Sequence, residues 1–251
     1  MEKATKVLSL IVHTVKEYVC VMQLHGDVDD VKLESVIKKF TGKIYQRPPL
    51  RSSVKRTLRI REIHYLSILE REGKLVLLKI GCEAGTYVRK LVHDIGLLLG
   101  VGAHMRELRR TKAGPFKEDE TLVKLQDIAE ALYRWREEGK DDLLRKVIAP
   151  MERAVCHLPK IIIRDTAVDA IAHGANLAVP GILALHEGIN VGDRVAIFTV
   201  KGELVALGKA NMNTEQVLES NRGIAVKTTR VIMPTGIYPK VWKSKEGSKE
   251  I

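Results

Sequence analysis

Residues 58–82 set the strongest constraint on what this chain can fold into. Leu58–Glu70 and Lys74–Cys82 each read as a strand, and Arg71-Glu72-Gly73 lies between them as a turn. At the start of the first arm, Leu58 and Ile60 point one way and Arg59 and Arg61 the other. That gives the strand one basic face. The period then changes. From Gly85 to Leu99 the apolar residues Val88, Leu91, Val92, Ile95 and Leu99 fall on one helical stripe, with Arg89 at its edge. A hairpin that delivers straight into an amphipathic helix predicts an α+β domain: a mixed, mainly antiparallel sheet with flanking helices.

The same reading extends along the chain. A short helix is expected over residues 4–13 and a strand over Lys16–Leu24. Asp29 and Asp30 open a helix that Gly42 stops, and Arg47-Pro-Pro-Leu50 is an extended loop. Ala103–Thr111 reads as a strand. Leu125, Ile128, Ala129 and Leu132 mark a further amphipathic helix ended by Gly139. The texture changes between Ala149 and Pro159 to short β segments with many glycines. There Asp193–Val200 and Glu203–Ala210 pair across Lys201-Gly202, and Gly223–Met233 adds another strand. The expected division is one domain over 1–150, a small β-barrel over 158–235, and a polar, disordered tail over 243–251.

Charge narrows the function. Lys and Arg number 42 against 31 Asp and Glu, a net +11, which points to a polyanion neutralised by cations. Arg106, Arg109, Arg110, Lys112 and Lys117 cluster around Gly114-Pro115, a pattern suited to a phosphate backbone. Aromatics make up only 4% of the chain, too few for a surface that reads bases by stacking. Gly85 and Arg89, four apart on one helix face, would leave room for a guanidinium that holds a carboxylate or phosphate by two bonds. Nothing suggests a membrane: the longest apolar run, Ile95–Ala103, falls far short of the roughly 20 residues a spanning helix needs. Cys20, Cys82 and Cys156 are single, in keeping with a reducing cytoplasm. Neither they nor the eight histidines have metal-ligand spacing, so neither metal nor cofactor is expected.

Five segments, in order, carry a family resemblance. They are Lys16-Glu-Tyr18, Pro48-Pro-Leu-Arg-Ser-Ser-Val-Lys55, Gly81-Cys-Glu-Ala-Gly-Thr-Tyr-Val-Arg89, Gly102-Ala-His-Met-Arg-Glu-Leu108 and Leu108-Arg-Arg-Thr-Lys-Ala-Gly-Pro-Phe116. Together they resemble RNA pseudouridine synthases of the TruB and archaeal dyskerin type. The resemblance implies that Tyr18 packs against the target uracil, that Arg89 pairs with the catalytic aspartate, and that Leu108 lies under the reacting base. It gives Lys16, Lys55 and the basic loop from Arg110 to Lys117 a role on RNA. In that family the nucleophilic aspartate lies on a Leu-Asp-Pro-type loop, whose place would be just before Met1. No such run occurs in these residues, so the chain is expected not to catalyse unaided.

The second half is similar to a PUA domain, through Leu158-Pro-Lys-Ile-Ile-Ile-Arg164 and His173-Gly-Ala-Asn-Leu-Ala-Val-Pro-Gly-Ile182. That resemblance implies RNA binding through Gly174, Ala175, Leu177, Pro180 and Gly181. Both halves together imply an archaeal dyskerin-like catalytic subunit of a box H/ACA guide ribonucleoprotein, converting uridine to pseudouridine in rRNA or tRNA. Its implied partners are guide RNA, substrate RNA and small H/ACA particle proteins. Two alternatives stay open: a non-catalytic RNA-binding scaffold, and a stand-alone synthase acting on the tRNA T-loop.

Overall fold

The computed structural model describes residues 2–48 and 54–240. The expected tail at 243–251 and the centre of the Pro48–Lys55 motif lie outside the described residues. Two compact units emerge, one over residues 9–147 and one over residues 148–240 together with the start of the first helix up to Leu8. The expected domain over 1–150 includes that helix start, which the contacts group with the second unit.

In chain order, the first part comprises α1 (Glu2–Val12), β1 (Lys16–Leu24), α2 (Asp30–Lys39), β2 (Gly42–Gln46), β3 (Arg59–Glu72), β4 (Leu75–Cys82), α3 (Val88–Leu99), β5 (Ala103–Ala113), β6 (Phe116–Lys117), α4 (Leu125–Glu138) and α5 (Asp142–Val147). The sheet runs β2-β3-β4-β1-β5-β6. Each of its pairings is antiparallel.

Alternation sets which face is covered. On β1, Cys20, Met22 and Leu24 are buried, and they meet Ile63 of β3 and Val76, Leu78 and Ile80 of β4. The stripe of α3 and the residues Leu33, Val36 and Ile37 of α2 close over them as one core. Each such side chain removed from water contributes about 2 kcal/mol. Gly96 lets α3 come down on β5: a Cβ there would lie 2.1 Å from the backbone nitrogen of Ala103.

Two sequence expectations shift. The third helix begins at Val88 rather than Gly85, because Gly85 has φ +82 and belongs to a left-handed turn. On α4 the apolar stripe is not a buried one: Leu125 is 82% exposed and Ala131 is the buried position. The neighbour of α4 is the six-residue α5 rather than the sheet, and so short a helix covers little.

The second part comprises β7 (Lys160–Ile163), α6 (Asp165–Ala172), β8 (Leu177–Ala178), β9 (Ile182–Leu185), β10 (Arg194–Phe198), β11 (Leu204–Ala210), α7 (Thr214–Glu219) and β12 (Ile224–Val231). Its sheet order is β8-β12-β11-β10-β7-β9. β7 and β10 are parallel and the other pairs antiparallel. Ile161, Ile163, Val195, Ile197 and Val205 centre its core. No helix among the described residues is long and apolar enough to cross a membrane.

Candidate functional site

Arg89 lies in the first turn of α3. It lines an open cleft of about 600 Å³ with Tyr45, Arg47, Pro48, Arg56, Leu58, Lys90 and His93. The last residues of β2 and the chain just after it form one wall, and the start of α3 forms the other. Lys90 and His93 both turn to Asp94, and Arg56 Nε donates to the Pro48 carbonyl at 3.2 Å. Among the described residues Arg89 has no ion-pair or hydrogen-bond partner and no carboxylate lines the cleft. A cationic trough with apolar patches from Tyr45 and Leu58 suits an anionic ligand that also carries a planar or apolar part.

The turn before α3 corrects a further expectation. Gly85 does not share a helix face with Arg89. The space it leaves is occupied by Arg61, whose Nη2 lies 3.3 Å from where a Cβ would stand. Arg61 reaches Glu83 at 3.7 Å. Its Nε is buried without a hydrogen-bond partner.

Tyr18 and Leu108 lie on the same face of the sheet. Tyr18 pairs with Arg110 across the β1–β5 ladder, and Cys20 pairs with Leu108. The tyrosine and the leucine are therefore diagonal neighbours on the side that α3 covers. Tyr18 is half-buried against the core, whereas Leu108 stays 41% exposed. Neither lines the Arg89 cleft. A bulge between Glu17 and Tyr18 in the β1–β5 register redirects the strand at this point.

The aspartates near these elements are engaged elsewhere. Asp29 accepts from the backbone of Val31 and Lys32 as the cap of α2. Asp30 pairs with Arg71, Asp27 with Lys74 at 3.6 Å, and Asp94 with Lys90. The carboxylate of this sheet with the most partners is that of Glu17, on the opposite side of the sheet from Tyr18. Glu17 accepts from Tyr65 at 2.5 Å and from Thr111 at 2.8 Å, and pairs with Lys79 at 3.2 Å. The Tyr65 bond, ahead of the Thr111 and Lys79 bonds, holds its carboxyl below the usual range against the opposing effect of burial.

The basic loop gathers as the spacing implied. Arg109, Arg110, Lys112 and Lys117 line a concavity of about 260 Å³ with Thr111, Phe116 and Leu122. Within it Arg109 is clamped by two bonds to Glu118. Arg106 and Lys55 are exposed.

Two of the residues expected to touch RNA do not present their side chains. Lys16 is buried. Its ammonium donates to the carbonyls of Ile11 at 2.9 Å, Val12 at 3.2 Å and Thr14 at 2.6 Å, and so caps the end of α1. Burial first, then the nearby Arg110 charge, depresses its pKa. Leu177 is 1% exposed and belongs to the core of the second unit; a strand residue that pairs with Val226 alternates inward there. Gly174, Ala175 and Pro180 are exposed, and Gly181 is half-buried, its carbonyl accepting from Arg164 N at 2.9 Å.

Gln46, Arg47, Arg56, Lys90 and His93 escaped the sequence reading. Arg47 and Arg56 flank a proline-rich loop and Gln46 ends a strand, with no spacing that separates them from surface residues. Only the fold brings Gln46, Arg47 and Arg56 toward Arg89, whereas Lys90 and His93 are its neighbours along α3.

Comparison with known proteins adds the frame. Residues 89–156 match the tRNA pseudouridylate synthase B C-terminal domain, residues 159–232 the PUA domain, and residues 2–97 the Pus10 C-terminal family. The probable tRNA pseudouridine synthase B of Thermococcus kodakarensis is 57% identical over 246 residues, covering 98% of this chain and 73% of the relative. That of Pyrococcus furiosus is 56% identical over 248 residues, with 99% and 73% covered. Among solved structures, an H/ACA RNP bound to a substrate RNA containing 2'-deoxyuridine is similar with a TM-score of 0.89 at 54% identity, covering 96% of this chain and 73% of that one. A Cbf5-Nop10-Gar1 complex is similar with a TM-score of 0.88 at 57% identity, covering 95% and 73%.

Proposed function

The chain belongs to the archaeal tRNA pseudouridine synthase B family of RNA pseudouridine synthases, and from that premise we propose that it serves as the uridine-isomerising subunit of an H/ACA ribonucleoprotein. The observation that carries this reading is the Arg89 guanidinium in a cationic cleft, with neither a partner for it nor a lining carboxylate among the described residues. Support comes from similar solved chains, one in an H/ACA RNP with substrate RNA and one in a complex with Nop10 and Gar1. The proposed partners are guide RNA, substrate RNA and small proteins of those kinds.

In the reaction, the bond from uracil to the ribose breaks, the base turns, and carbon replaces nitrogen in the new bond. The target uridine must first leave its stack, at a cost of a few kcal/mol that the pocket returns by packing. In this proposal Arg89 keeps a catalytic carboxylate ionised and oriented, while Tyr18 and Leu108 hold the uracil plane. Arg109, Arg110, Lys112 and Lys117 hold the phosphate backbone, as do Arg106 and Lys55. In the second unit the exposed backbone at Gly174, Ala175 and Pro180, with the half-buried Gly181 beside it, takes an RNA stem or end. The carboxylate comes from outside these 251 residues, since no Leu-Asp-Pro run occurs in them and the aspartates nearest these elements are otherwise bonded.

The test is to incubate the chain with guide RNA, particle proteins and a labelled substrate, with and without an added polypeptide carrying the aspartate loop. Isomerisation is expected only with the addition, and turnover at a normal rate without it overturns the proposal. A guide-independent action on tRNA is the second reading, favoured by the name of the curated relatives; isomerisation of bare tRNA without guide RNA decides for it.

A further inference from the structure

We propose that Gln46 is a positioning residue for Arg89, setting the angle of α3 and the width of the cleft. The inference rests on the reading of that cleft as part of the RNA site. Gln46 is 1% exposed. Its Oε1 accepts from the backbone N–H of Tyr87 at 3.0 Å, and its Nε2 donates to the Tyr87 carbonyl at 3.2 Å. Tyr87 is the residue that caps α3, and its own side chain makes no capping bond. A helix start without a local cap leaves its first amide groups to be satisfied from elsewhere. Here a side chain from another strand does so, 41 residues away in sequence.

The geometry ties the two walls together. The neighbours of Gln46, Tyr45 and Arg47, line one side of the cleft, and Arg89 lines the other, two residues beyond Tyr87. Gln46 is itself held by pairing with Arg59 at the end of the β2–β3 ladder, so the amide acts as a strut from a sheet to a helix start. The Arg61 guanidinium lies against the same turn at Gly85. The Tyr87 carbonyl also accepts from Leu91 N at 3.0 Å, so Gln46 satisfies the Tyr87 N–H and adds a second bond to its carbonyl; only a side chain with a donor and an acceptor at this length makes both. Glutamate supplies the acceptor alone, and methionine neither.

The experiment is a double-mutant cycle on the whole chain. Affinity for a short uridine oligonucleotide is measured at fixed salt for the parent, Arg89→Ala, Gln46→Met and the double variant. Hydrogen exchange at the Tyr87 amide is followed in parallel. Arg89→Ala is expected to weaken binding about tenfold, the scale of one charge-assisted bond. Gln46→Met is expected to weaken it by a similar factor, to add nothing in the Arg89→Ala background, and to speed exchange at Tyr87. Full additivity, unchanged affinity in Gln46→Met, or unchanged exchange overturns the positioning role while leaving the RNA site standing. Unchanged affinity in Arg89→Ala overturns the site and this inference with it. If Gln46→Met does not fold, Gln46→Glu enters the same cycle and is judged by the same outcomes.

Discussion

The Tyr65 phenol on β3 donates to the Glu17 carboxylate on β1 at 2.5 Å, reaching over β4. With Thr111 of β5 and Lys79 of β4 on the same carboxylate, four strands are tied at one residue, directly beside Tyr18.

This bond predicts two limits on stability with pH. Glu17 is held below its ordinary value of 4.5, so its contribution is present above that pH and is lost as pH falls through the lower folded value. Burial, then the Glu17 bond, pushes Tyr65 from 10.0 up to about 12; its contribution is complete below 10.0 and fades between 10.0 and about 12. Tyr65→Phe should cost about 1 kcal/mol, the share of one hydrogen bond to a charged group discounted for exposure. It should also flatten both limits in urea midpoints taken across pH. Parallel pH profiles for the variant and parent would sink this account.

Lys16 and Lys112 should separate cleanly. Lys16→Met strips the cap from the carbonyls of Ile11, Val12 and Thr14 and should cost about 2 kcal/mol of stability, with the salt slope of RNA affinity unchanged. Lys112→Ala, in the basic concavity, should leave stability alone and lower that slope by about 0.7–1. Titrations over a range of salt concentrations read both, and a reduced slope in Lys16→Met would restore it to the RNA surface.

Gly96→Ala should be among the most damaging single methyl additions here. Its Cβ would stand 2.1 Å from the Ala103 nitrogen, where the obstacle is backbone and cannot rotate away. A loss of about 3 kcal/mol, the upper end for overpacking, is expected, seen as a thermal midpoint several degrees lower. A midpoint within a degree of the parent contradicts the close approach of α3 and β5.

In the second unit, Leu177→Ala should cost about 2–4 kcal/mol as a core cavity, whereas Pro180→Ala should stay within about 0.5 kcal/mol. Any RNA effect of Leu177→Ala should vanish once binding is measured well below its melting temperature. A persistent RNA defect in a fully folded Leu177→Ala protein would return that side chain to the binding surface.

Much of this was legible along the chain. The alternation from Lys16 to Leu24 predicted β1 to the residue, and the stripe from Val88 to Leu99 predicted which face of α3 is buried. These are local regularities: period two and period 3.6 survive any tertiary arrangement that buries one face. The loop cations around Gly114-Pro115 were also evident, since a cluster dense in sequence stays dense in space when a tight turn joins β5 to β6.

What sequence alone determined, then, are the strands β1, β3, β4, β5, β10, β11 and β12, the helices α1 to α4, the cationic character, and the family resemblance carried by the segments that hold Tyr18, Arg89 and Leu108; β2, the short strands β6 to β9 and the helices α5, α6 and α7 have no comparable signal along the chain. Sequence did not determine where Lys16 sends its ammonium, since a strand's first residue can turn to solvent or to a preceding helix end, and only the position of α1 decides. It did not reveal that Gly85 makes room for Arg61 rather than Arg89, or that Gln46 grips Tyr87. Those are encounters between segments tens of residues apart, and chain spacing carries no information about a distance that the packing of a sheet against a helix creates.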